Sequence, residues 1–89
     1  MEAQHRRELL DLMEFIYKTP SAIEEHWPKV SDLLIELADT SPQGFEGMAT
    51  MICKHFNNAA KFKNVSVQKF ELESGLIKLS SYFQKVKTS

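Results

Sequence analysis

Apolar residues recur along this chain at intervals of three and four, and that spacing predicts helices over nearly its whole length. The first is expected over residues 3–18. Leu9, Leu10, Leu12, Met13, Ile16 and Tyr17 share one wide arc, with Arg7, Asp11, Glu14 and Lys18 opposite. Thr19-Pro20 ends it, because a proline ring disfavours the α conformation in the residue before it.

The second segment opens with Ser21-Ala22-Ile23-Glu24, the pattern of a capping box: serine at the N-cap, glutamate three residues on. Ile23, Trp27, Val30, Leu34 and Leu37 then keep helical spacing straight through Pro28. A proline inside a helix removes one backbone hydrogen bond and crowds the preceding turn, costing about 3 kcal/mol. The chain can kink there. Alternatively, a short helical piece at residues 21–26 is followed by a new helix with Pro28 in its first position. The second solution avoids the cost and is the one expected. Either keeps Trp27 toward the core.

Asp39-Thr40-Ser41-Pro42 is the clearest punctuation in the chain. Ser41 suits an N-cap and Pro42 the first helical residue. A third helix is therefore expected over residues 42–62. Phe45, Met48, Met51, Ile52, Cys53, His55, Phe56, Ala59 and Phe62 lie on one side of it, and Glu46, Thr50, Lys54, Asn57, Asn58 and Lys61 on the other. The apolar arc exceeds half the circumference, wider than an ordinary surface helix presents. This helix is expected to be the central one, with Phe45, Met48, Ile52, Phe56 and Ala59 as its spine.

The last segment, residues 66–86, carries two apolar stripes. Leu72, Leu76, Leu79, Phe83 and Val86 form one, with Tyr82 beside it; Val67, Phe70 and Ile77 form another, more than a quarter turn away. Ser74-Gly75 offers a point of division, with Gly75 as a C-cap. Residues 65–73, "VSVQKFELE", also read as a strand, although no Asn-Gly or Asp-Gly turn supports a hairpin. The fold class expected is all-α: a small bundle of four main helices, with a short fifth piece, forming a single helical domain over residues 1–89.

Composition narrows the class. The chain has 89 residues, 43% hydrophobic and 26% charged, which suits one domain with a modest core. Its single cysteine excludes an intramolecular disulfide and a cysteine-rich zinc site. The N-terminal stretch mixes both charge signs with its apolar residues, and no run is long enough to span a bilayer, so a cytoplasmic protein with no membrane partner is expected.

Net charge is −1, but it is unevenly spread. Residues 1–47 hold ten acids against four bases, net −6. Residues 48–89 hold seven lysines against Glu71 and Glu73, net +5. The halves attract one another within a bundle, or the basic half faces an acidic partner or nucleic acid.

Candidate chemistry is sparse. Cys53 and His55 are two residues apart, which places them on opposite flanks of a helix, so they cannot share one metal or act as a nucleophile–base pair. Glu24, Glu25 and His26 are consecutive and diverge for the same reason. Gly44 and Gly47 belong to no phosphate-loop pattern. No catalytic constellation, metal site, cofactor site or small-molecule substrate site is expected.

Two surfaces remain. Val67, Phe70 and Ile77 cannot enter the same seam as Leu72, Leu76 and Leu79. They are the expected partner interface, for a second copy or another protein, since aromatic and aliphatic anchors concentrate at such surfaces. Lys54, Asn57, Asn58 and Lys61 are the alternative, a nucleic-acid face that Lys63, Lys69, Lys78, Lys85 and Lys87 would extend. Against it, no arginine follows Arg7. The expected function is a non-enzymatic protein-interaction module of adaptor, regulator or chaperone type, self-associating through the last helix. A small nucleic-acid-binding regulator is the alternative.

Overall fold

A computed structural model describes residues 1–86. Four helices run α1 (Ala3–Lys18), α2 (Ile23–Asp39), α3 (Glu46–Lys61) and α4 (Val65–Val86), with one 3-10 turn, Pro20–Ala22, between the first two. Among the described residues there is no strand, so residues 65–73 are helical. Each helix packs on two others, in the closed order α1, α2, α3, α4 and back to α1. Cross-links fix the directions: His5 near the start of α1 meets Glu36 near the end of α2, Ala59 late in α3 meets Gln68 early in α4, and Arg6 lies over Phe83. Every neighbouring pair is antiparallel, which makes an up-and-down four-helix bundle. It measures 37 × 22 × 18 Å.

The core is the inward stripe of each helix: Leu9, Met13 and Ile16 from α1, Val30, Leu34 and Leu37 from α2, Ile52 and Phe56 from α3, Leu72 and Leu79 from α4. The expected extent of the first helix agrees with α1. Other expectations are corrected.

Pro28 does not start a helix. It sits inside α2, which is continuous from Ile23 to Asp39. The carbonyl it leaves without a helical donor belongs to Glu24, an exposed residue. Continuity keeps Ile23 and Val30 in one buried stripe across the proline. The capping box does not form either. Ser21 lies within the 3-10 turn, α2 has no side-chain cap, and Glu24 pairs instead with Lys63.

The third helix begins at Glu46, four residues later than the 42–62 span. Ser41 caps the end of α2, donating to the Leu37 carbonyl at 2.8 Å, while Thr40 donates to that of Glu36 at 2.7 Å. Residues 42–45 then form a turn closed by Phe45 N–H to the Pro42 carbonyl. Gly44 has φ +94°, a conformation that L side chains rarely adopt and that interrupts a helix. Nor is α3 central, since it packs on α2 and α4 alone, as every helix here packs on two neighbours. Its wide apolar arc is in part surface: Met51 and Phe62 are exposed.

Gly75 does not divide the last segment. α4 is unbroken through it, and the absent side chain makes room for Phe56. The start of α4 is set by Asn64, whose Oδ1 accepts the Val67 N–H at 3.1 Å.

Candidate functional site

The outer face of α4 holds the expected partner interface. The buried residues of this helix (Gln68, Glu71, Leu72, Gly75, Leu79, Tyr82 and Phe83) cover one side. Phe70 and Ile77 stand opposite, 68% and 64% exposed, with Val67 at 40%. They are seven residues apart, two helical turns, so they lie nearly in line along the helix. The strip around them holds Ser66, Ser74, Ser80, Ser81 and Gln84 and one charged side chain, Glu73. Glu73 lies one turn from each of Phe70 and Ile77 and accepts a hydrogen bond from the Tyr17 hydroxyl at 3.1 Å, which raises the pKa of that phenol. Lys69 lies over the Tyr17 ring on the same side.

The lysine–asparagine face of α3 is only partly assembled. Lys54, Asn57 and Lys61 are exposed, but Asn58 turns toward α4 and donates to Glu71 at 2.8 Å. Asn58 therefore serves the interior of the bundle. Lys63 is drawn to Glu24 at 2.9 Å, an ion pair joining the acidic and basic halves. Lys87 lies outside the described residues.

Cys53 and His55 do occupy opposite flanks of α3. The Cys53 thiol donates to the Leu34 carbonyl on α2 at 3.6 Å, and burial pushes its pKa up, which suppresses the thiolate. His55 faces α4, with Nδ1 3.0 Å from Glu71 Oε1. The Glu71 carboxylate thus receives His55 and Asn58 together. Burial pushes its pKa up, but these two hydrogen bonds, with the charges of His55 and Lys54, outweigh that and hold it below the usual range. His55 Nε2 is buried and has no hydrogen-bond partner within the described residues. This cluster was not foreseen. Its signal was a glutamate on the apolar side of α4, with His55 and Asn58 one turn apart on α3.

Among the described residues no three histidine, cysteine or acidic side chains converge on a metal-holding geometry. No helix among them is long and apolar enough to cross a membrane. Comparison with known protein families, curated proteins and solved structures finds no match. What the geometry defines is a four-helix up-and-down bundle with an apolar-studded outer face on its longest helix.

Proposed function

We propose that the chain is a non-enzymatic protein-interaction module, of adaptor, regulator or chaperone type, that pairs with a second copy of itself through the outer face of α4. The observation that supports this is the exposure of Phe70 and Ile77 nearly in line on the outer face of α4, where the one charge between them, Glu73, is already engaged by Tyr17. Burying either side chain fully is worth about 1.5–3 kcal/mol. Their spacing suits a two-fold arrangement of antiparallel helices. With the axis midway between them, Phe70 of one copy meets Ile77 of the other, and the reverse contact follows by symmetry. Ser74, between them, is small enough to let the helices approach.

Analytical ultracentrifugation across the micromolar range tests this. The native chain should sediment as a dimer, and Phe70→Ser or Ile77→Ser as a monomer with unchanged circular dichroism. Lys69, Lys78 and Lys85 flank the strip, so salt that screens them should strengthen the pairing. An acidic protein partner would show the opposite salt dependence. A native chain that stays monomeric throughout removes the self-pairing reading.

A further inference from the structure

On the side of the bundle away from the α4 strip, α2 and α3 enclose a groove of about 360 Å³. That lies within the size range of small-ligand sites. Ile23, Trp27 and Ala60 supply its apolar lining; Glu24, Asn57 and Lys61 supply its polar lining. Trp27 is the one tryptophan of the chain, half-buried against the core.

The charges there are unequally committed. The Glu24 carboxylate is held by Lys63 at 2.9 Å. Lys61 makes no ion pair among the described residues, and its ammonium sits 6.0 Å from the centre of the Phe62 ring. Asn57 gives one amide N–H to the Cys53 carbonyl at 2.8 Å, which leaves the second for another acceptor. An aromatic, apolar lining therefore adjoins a free cation and a free donor.

We propose that this groove binds a small aromatic carboxylate. The ring packs on Trp27, Ile23 and Ala60, and the carboxylate accepts from Lys61 and Asn57. An aromatic body suits the indole, whose contacts with another ring exceed plain area burial. A single negative charge suits a site with one uncommitted lysine and a glutamate on its rim. A phosphate polymer would bring further negative charges against Glu24 on the rim of the groove. Asn57 and Lys61 stood out only as part of a nucleic-acid face, because the two walls of the groove come from residues thirty or more positions apart.

The test is an NMR titration of the full chain with benzoate, 2-naphthoate and indole-3-acetate, each against its neutral amide at matched ionic strength. The Trp27 indole N–H and the Asn57 side-chain amide are the reporters. Saturable shifts at both are expected, in the millimolar range that fragments of this size reach, with each acid bound more tightly than its amide. Lys61→Gln should weaken acid binding roughly fivefold and erase the preference over the amide. Lys54→Gln, which removes an equal charge from the same helix outside the groove, should leave it intact. Three outcomes overturn the proposal: no saturable shift with any of the acids, equal binding of acids and amides, or equal loss in both lysine variants.

Discussion

A Cβ added to Gly75 would stand 2.5 Å from Cε1 of Phe56. Phe56 is fully buried in α3, so its ring has no open space to retreat into. The contact of α3 with α4 at this point depends on the pair. In the middle of a helix, Gly→Ala ordinarily stabilises by about 1 kcal/mol. Here overpacking, at about 1–3 kcal/mol, opposes and exceeds that gain. Gly75→Ala should therefore destabilise the protein in urea unfolding. Phe56→Leu should lose stability on its own, yet the double variant should be more stable than additivity predicts, because the smaller side chain clears the space. Additive losses would show that the two residues do not share this contact.

Ser21 and Ser41 both read as helix N-caps, and the structure separates them. Ser41 donates its single hydroxyl proton to the Leu37 carbonyl at 2.8 Å. The Tyr82 hydroxyl, 2.9 Å away, must then donate to Ser41, which ties the end of α2 to α4. Ser41→Ala should cost about 1–2 kcal/mol, and Tyr82→Phe about 1 kcal/mol. Ser21 makes no cap bond, so Ser21→Ala should stay within about 0.5 kcal/mol of the native chain. Thermal unfolding of the three variants checks the order. Equal losses at the two serines would restore the capping-box reading.

These two sites show what the pattern could and could not carry. Amphipathic periodicity depends on residues within one helix, so the all-α class, the extent of α1 and the outward position of Phe70 and Ile77 were legible. Helix ends were less so. Ser41-Pro42 is as good a start as it is a stop, and the choice turned on Gly44 adopting a positive φ. Gly75 was ambiguous for a different reason: a glycine needed for packing and one that ends a helix look alike until Phe56 is placed opposite. The polar cluster and the Trp27 groove are products of tertiary pairing. Glu71 looked like a stray acid on an apolar stripe until α3 brought His55 and Asn58 to it.

Glu71 makes the stability of the bundle sensitive to acid. Its pKa is depressed in the folded state, so its contribution is fully present above the unfolded value and is lost as pH falls through the folded one. Denaturation in the acid range should show stability falling there. Glu71→Gln, which cannot ionise, should flatten that part of the profile. Glu71→Ala should cost about 2–3 kcal/mol at neutral pH, since it leaves His55 and Asn58 without their acceptor. Replacing the pair with apolar residues, as in His55→Phe with Glu71→Leu, should recover much of that loss, because it also removes the unpartnered Nε2. An unchanged acid limb in Glu71→Gln would assign the sensitivity to other carboxylates.

His5 acts in the opposite direction. Its Nδ1 lies 2.9 Å from Glu36 Oε1, and the hydrogen bond to that carboxylate raises its pKa. Burial opposes the shift, while the charges of Glu36, Glu2 and Glu8 add to it. A raised folded value means that the contribution of His5 is fully present below its unfolded pKa and is lost as pH rises through the folded one. Both side chains are about one-third exposed, so the effect is modest and salt screens it. In an NMR titration, His5 should lose its proton at a higher pH than a free histidine. Glu36→Gln should bring that midpoint down, and added salt should narrow the gap between the native chain and the variant. The contact joins the first turns of α1 to the last turns of α2, so the same variant should increase amide exchange at the N-terminal end of α1 below the pH at which His5 loses its proton, and change it little above. A His5 midpoint unmoved by Glu36→Gln would mean that the carboxylate does not hold the proton on this ring.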